Sequence, residues 1–215
     1  MLKFRASMIG RLMAYPDKDT LSAGAISAVH ENASQIILDW QPKLDMHVIE
    51  KGRVCEDEAI ALLNRVLGKS YKKNSQRLST DLITGEWDIY DEEENKIIDI
   101  KNAYSKKTFP IIISEGDLKL YEWQLTAYMH LKDADKAAIA YCLVDTPSDL
   151  VSLRDDEDWH IVSHIPERDR VTIFDMDRCA TKERQMLKKV KLAQDELKRI
   201  LDDRGFDLDR YKVDF

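Results

Sequence analysis

In the run Ile97-Ile98-Asp99-Ile100-Lys101-Asn102-Ala103, an acid and an amine stand two residues apart inside an apolar stretch. On an extended strand Asp99 and Lys101 leave the same face, while Ile98 and Ile100 point the other way into apolar packing. A carboxylate beside an ammonium has a chemical use there. The carboxylate can hold a divalent cation, and the lysine can position or help deprotonate a water near it. Asp88, in the preceding run Ile83–Tyr90, could lie across a hairpin from Asp99. Two carboxylates so placed repel unless a cation lies between them. On the hairpin alone, a solvated strand face with an ordinary Asp–Lys pair remains the simpler reading.

Two flanking segments shift that balance. Cys55-Glu56-Asp57-Glu58 opens a helix whose apolar stripe is Ala59, Leu62, Leu63, Val66 and Leu67. Acids in a first turn often serve only the helix dipole. At about 100° per residue, however, Glu56 falls roughly 50° from the centre of the stripe, with Asp57 and Glu58 well over 100° away. Glu56 therefore leans toward the core, where an unpaired charge is costly and a cation would offset that cost. Further on, Gln124 and Tyr128 are four apart on a helix and share a face. That helix follows the hairpin by about the distance needed to return over a sheet.

The elements that must position these residues can be read from periodicity. The N-terminal part, to about Trp40, reads as short helices, with Ser22 capping a segment through Ile26, Val29, Ala33 and Ile37. Gln41-Pro42 ends it. A helix is expected from about Val54 to Leu67, stopping near Gly68. Two strands follow, over about 82–90 and 96–103, joined by a polar loop at 91–95. Next come a helix over about 117–131, strands over 137–144 and 170–174, and a long helix over about 181–203. That last helix carries Met186, Val190, Ala193, Leu197 and Ile200 on one face, suited to packing or to a subunit contact. The order implies an α/β fold with a central mixed sheet flanked by helices. We expect one domain over 1–215, with N-terminal helices to 44, a core over about 45–175 and the closing helix.

Composition sets outer bounds. With 215 residues, 44% hydrophobic and 34% charged, the chain can bury one well-formed core. No stretch is long and apolar enough for a membrane span. The N-terminal segment is too short and too charged in its apolar part to read as a signal peptide, so a cytoplasmic location is expected. Cys55, Cys142 and Cys179 form no CxxC pair and are too few for a four-cysteine cluster. The net charge of −7 argues against a uniformly basic surface, but not against local basic patches.

Taken in order, Gly52-x-x-x-Glu56-x-x-Ala59, Gly85-x-x-Asp88, Asp99-x-Lys101 and Gln124-x-x-x-Tyr128 resemble the PD-(D/E)xK nuclease superfamily. Within it they are similar to the lambda-type and RecB-type (YqaJ-like) phage exonuclease branch. Trp87 stands where many members have proline before the first Asp, and the iron–sulfur cysteines of some relatives are absent. The resemblance implies a restriction-endonuclease-like core and a metal-dependent deoxyribonuclease. Glu56, Asp88 and Asp99 would be metal ligands, with the Ile100 carbonyl in reach. Lys101 would be the catalytic lysine, and Gln124 and Tyr128 would hold the attacking water and a phosphate. His47 is a candidate for the extra upstream His ligand of RecB-type members, though a lone His is more often structural. All-oxygen ligands point to Mg²⁺, with Mn²⁺ as a substitute.

The substrate implied is linear double-stranded DNA, degraded from 5′ ends beside a single-strand annealing recombinase in phage-type recombination. For a phage-encoded chain the location would be the bacterial host cytoplasm. A homo-oligomer is implied too, since lambda-type exonucleases form rings around DNA. Lys72, Lys73, Lys106 and Lys107 stand near the motifs as candidate phosphate contacts, as do Arg65, Lys69 and Arg77. Arg5, Ser7 and Arg11 are candidates for a 5′ phosphate. The competing readings are a sequence- or structure-specific endonuclease of the same superfamily and a catalytically idle DNA-binding protein that keeps the fold.

Overall fold

The computed structural model describes residues 2–42, 46–114, 116, 118–119 and 121–206. After β1 (Phe4–Arg5) and a 3-10 helix (Ala6–Leu12), α1 runs over Ala23–Leu38. Ser22 caps α1 as expected, its Oγ accepting from Ala25 N at 3.1 Å. The helix ends on Asp39 in the left-handed region, before Pro42 is reached. α2 (Met46–Val54) and α3 (Glu56–Leu67) meet at a bend on Cys55, and α3 stops at Gly68 with φ +64°. The single helix expected from Val54 is therefore the second of a pair. α2 carries no clean apolar stripe to announce it.

The expected strand over 82–90 is two strands. β2 (Leu78–Ser79) and β3 (Ile83–Gly85) join β1 in a small sheet ordered β1-β3-β2. The chain then breaks at Glu86–Asp88, and β4 (Ile89–Asp91) begins a second sheet. β5 (Lys96–Asn102), α4 (Tyr121–Lys132) and β6 (Lys136–Cys142) follow, then β7 (Val171–Asp177) and α5 (Ala180–Asp203). The expected start of α4 at position 117 falls outside the described residues. The second sheet is ordered β4-β5-β6-β7, with β5 and β6 parallel and both outer pairs antiparallel. Parallel β5 and β6 need a crossover, and α4 supplies it.

Strand alternation splits the core in two. Ile89, Ile98, Ile100, Ala138 and Ala140 face α3, packing on Ala59, Leu62 and Leu63. Ile97, Ala137 and Ile139 face the other way, onto a larger core with α4, α1, α5 and the 3-10 helix. Asp99 and Lys101 share the Ile97 face, so they emerge beneath α4. Met186, Val190, Ala193, Leu197 and Leu201 of α5 are fully buried in this second core, which makes α5 a packing helix. No helix among the described residues is long and apolar enough to cross a membrane.

Candidate active site

β5 delivers the central pair. Asp99 is buried, and Lys101 Nζ lies 2.5 Å from its Oδ2. The approach lacks the angles of a hydrogen bond, so Oδ2 has no well-oriented partner. Asp99 Oδ1 instead accepts from Gln124 Nε2 at 3.2 Å, and the same amide donates to the Tyr128 hydroxyl at 2.9 Å. Both Gln124 N–H groups are thereby committed. The Tyr128 hydroxyl accepts from Gln124 and keeps its own proton to give. This sharpens the expectation for the pair: Gln124 orients Asp99, and Tyr128 is the group free to donate. The Tyr128 ring is set edge-on to Trp87, with centroids 6.1 Å apart. It also nearly touches Gly85, where an added Cβ would meet Tyr128 Cε1 at 3.0 Å.

The break before β4 aims Asp88. In the β4–β5 ladder Ile89 pairs with Ile98, so continuing the register would set residue 88 opposite Asp99. With the ladder interrupted, the Asp88 carboxylate turns in and accepts the Ile100 N–H at 2.6 Å. Burial, and then the charge of Asp99, push Asp88 up to about 7, against the pull of that N–H and of Lys101. Burial alone would depress Lys101, but the charges of Asp99 and Asp88 outweigh it and hold its ammonium above the usual lysine range. The Lys101 Nζ also sits 5.3 Å from the Tyr121 ring centroid.

The third acid comes from the far wall. Glu56 is partly buried while Asp57 and Glu58 are exposed, as the helical angles indicate. Its Oε2 meets Lys73 Nζ at 2.5 Å. Lys73, expected as a phosphate contact, is thus engaged with Glu56. Among the described residues no three His, Cys, Asp or Glu side chains stand close enough together to hold a metal ion. The donors nonetheless suit one in kind. Asp99 is a buried carboxylate and Asp88 a half-buried one, together without enough positive charge to neutralise them, and Asp99 Oδ2 has accepting capacity to spare. Glu56 would complete the set by exchanging Lys73 for a cation.

These residues line one cavity of about 760 Å³, which includes Glu56, Asp88, Asp99, Ile100, Lys101, Gln124 and Tyr128. Sequence reasoning missed other parts of its wall: Val48, Ile49 and Arg53 of α2, Glu86 at the strand break, and Tyr104 and Tyr121. It also missed Lys51, which is fully buried and donates to the carbonyls of Ala103, Tyr104 and Val144 at 2.7, 3.1 and 2.9 Å. Burial pushes its ammonium down to about 8.

The other candidates lie outside the cavity wall. His47 is exposed near the start of α2. Arg5, Ser7 and Lys72 are exposed, and Arg11 is paired with Glu31. Lys106 donates to the Asp158 carbonyl at 2.6 Å, and Lys107 sits 5.3 Å from the Trp159 ring centroid. Arg65, Lys69 and Arg77 are paired with Glu167, Glu93 and Glu86. Cys55, Cys142 and Cys179 are free thiols, and burial pushes Cys142 up to about 12.

No protein-family model matches the sequence, and no curated protein matches it significantly. Solved structures do match. A phage related exonuclease from Haemophilus somnus 129PT superposes with a TM-score of 0.88 at 28% identity, over 94% of this chain and 96% of that one. The chain has the fold of the phage-exonuclease branch of the PD-(D/E)xK nucleases. An alkaline exonuclease (LHK-Exo) from Laribacter hongkongensis shares that fold at 13% identity, with a TM-score of 0.67 over 94% of this chain and 91% of that one. Its complex with dAMP gives 0.64 at 14% identity, over 93% and 90%. In the phage-exonuclease fold of this chain, β5 carries Asp99 and Lys101, and α4, crossing over it, carries Gln124 and Tyr128.

Proposed function

We propose that this chain is a DNA exonuclease that hydrolyses phosphodiester bonds of linear double-stranded DNA, working from 5′ ends with Mg²⁺. The observation that carries the reading is the buried Asp99 with the half-buried Asp88 beside it and Lys101 against it, within a fold shared with a phage related exonuclease along nearly its whole length. Two acids so close, one of them buried, are costly to a structural protein and useful to one that binds a cation.

Glu56, Asp88, Asp99 and the Ile100 carbonyl would hold the cation, an all-oxygen set suited to Mg²⁺. The cation supplies positive charge to the scissile phosphate and its leaving oxygen. Lys101, held by Asp99, orients the attacking water and adds positive charge beside the phosphate. Gln124 fixes the direction of Asp99, and Tyr128 donates its hydroxyl proton to a phosphate oxygen. The surface groups Arg5, Ser7, Arg11, Lys72, Lys106 and Lys107 serve the DNA outside the cavity. A single-strand annealing recombinase and a homo-oligomer fit the same role.

The test uses purified protein, Mg²⁺ and DNA. Linear duplex should be degraded to mononucleotides from 5′ ends while closed circles survive. Lys101→Ala should stop this with an unchanged melting temperature. Cutting of closed circles would make the protein an endonuclease. Inertness toward every DNA and RNA would overturn the reading.

A further inference from the structure

Gly52 lies inside α2, with ordinary helical backbone, and forms part of the cavity wall. Glycine in a helix interior is destabilising relative to alanine, so its presence calls for a physical reason. The usual reason is a close approach by the protein itself, as at Gly85, and at Gly52 there is none. A Cβ built there meets no atom of the described residues within 4 Å. Nor is a left-handed backbone required. The bare surface is therefore open space on the cavity wall.

The neighbours give that surface a character. Val48, Ile49, Gly52, Arg53 and Glu56 follow helical spacing along the cavity side of α2 and the start of α3. Val48 and Ile49 are 42% and 43% exposed, unusual for aliphatic residues beside a charged site. Arg53 is exposed and pairs only with Glu50 on its own helix, among the contacts described. Lys51, on the opposite side of α2, locks the helix to the ends of β5 and β6, and Asn102 Nδ2 donates to the Gly52 carbonyl at 3.2 Å. A rigid helix thus presents an aliphatic pair, a gap and a cation in a row, ending on Glu56 of the candidate site.

We propose that this face of α2 seats the sugar–phosphate backbone of the DNA strand being cut. The deoxyribose next to the scissile phosphate packs into the gap at Gly52, against Val48 and Ile49. Arg53 exchanges Glu50 for an adjacent phosphate. The inference rests on the nuclease reading, and it makes Gly52 and Arg53 substrate-binding residues rather than catalytic ones.

The test is a size series at Gly52 in the full chain, with Arg53→Gln beside it. Steady-state cleavage of an end-labelled linear duplex gives KM and kcat. Fluorescence anisotropy of the same duplex in Ca²⁺ gives Kd. Gly52→Ala should raise the melting temperature by about 2 °C, as a helix-favouring change. It should also raise KM and Kd about tenfold with kcat nearly unchanged, and Gly52→Leu should raise them further. Arg53→Gln should reduce the slope of log Kd against log salt by about one. A lower melting temperature in Gly52→Ala would mean that the glycine serves the fold, and would overturn the proposal. So would unchanged KM and Kd in an active wild type, which leaves the nuclease reading standing. A wild type that neither binds nor cuts any DNA would overturn both.

Discussion

On the α4 side of the cavity, Asp99, Gln124, Tyr128 and Trp87 form one buried chain of contacts. On the α2–α3 side, Glu56 and Arg53 are held by ion pairs with Lys73 and Glu50, and Gly52 leaves the wall bare. The first side is held in place by its own contacts, with Asp99 Oδ2 still open to a ligand. The second must exchange partners to take one. The acid whose position cannot vary sits in the packed core, where neighbours fix it. The groups that admit a cation or a strand sit on helices whose ion pairs are weak enough to open.

That contrast fails if the buried side is not where the chemistry happens. Asp99→Asn keeps the shape and the Gln124 contact but removes the charge. Charge stabilisation worth several kcal/mol corresponds to a loss of about 10³-fold in kcat. The melting temperature should hold, because relief of the repulsion with Asp88 offsets the lost pair with Lys101. Cleavage within about tenfold of wild type, followed with a labelled duplex, would move the chemistry away from β5.

Lys51 tests whether the open side needs a rigid backing. Lys51→Met removes the donor from the buried carbonyls of Ala103 and Val144, at 2.7 and 2.9 Å from the present Nζ, while the Tyr104 carbonyl keeps Thr146 Oγ1 at 2.9 Å. The expected loss is about 2–4 kcal/mol, partly offset because no ammonium is then buried. The pH dependence has a definite sign. Burial lowers the folded-state value of Lys51 to about 8, below its value in the unfolded chain. Between about pH 8 and the ordinary lysine range near 10.4, the unfolded chain binds more protons at this group, so stability from it rises with pH. The advantage of wild type over Lys51→Met in denaturant melts should widen across that window. A gap that is constant or narrows would mean that Lys51 does not titrate as a buried amine.

Glycine-to-alanine changes on the two sides should have opposite effects on stability. At Gly85 the new methyl meets Leu131 Cδ1 at 2.9 Å and Tyr128 Cε1 at 3.0 Å. Overpacking of this kind costs about 1–3 kcal/mol, and pushing the Tyr128 ring should lower kcat about tenfold. At Gly52 the same change should raise the melting temperature. Two melts and two rate measurements are enough to decide it. Equal signs at both positions would remove the distinction between a packed and an open wall.

Local periodicity was legible on both sides. Alternation in β5 assigned Ile98 and Ile100 to one face and Asp99 and Lys101 to the other, and the structure agrees. The stripe of α3 showed which way Glu56 leans, because local periodicity fixes side-chain direction. The break at Glu86–Asp88 was hidden, since the apolar pattern runs through it while its two ends pair in different sheets. The burial of Lys51 was hidden for a related reason. Its acceptors lie 52, 53 and 93 residues away, and nothing nearby distinguishes it from a surface lysine. Two-residue strands such as β1 and β2 carry too few positions for a pattern.

The smallest effect probes the open side most directly. Lys73 Nζ meets Glu56 Oε2 at 2.5 Å, with the lysine side chain 48% exposed. With the lysine half in water the pair contributes about 1 kcal/mol or less, so a divalent cation can displace it. If Lys73 competes with the cation for Glu56, Lys73→Met should tighten Mn²⁺ binding up to about fivefold. Glu56→Gln should weaken the same binding, because it removes an anionic ligand. Calorimetric titration in the absence of DNA reads both without relying on turnover. Looser binding in Lys73→Met would mean that the lysine holds Glu56 in place for the cation instead of occupying it. The α3 side would then be as preorganised as the α4 side, and the contrast between them would rest on Arg53 and Gly52 alone.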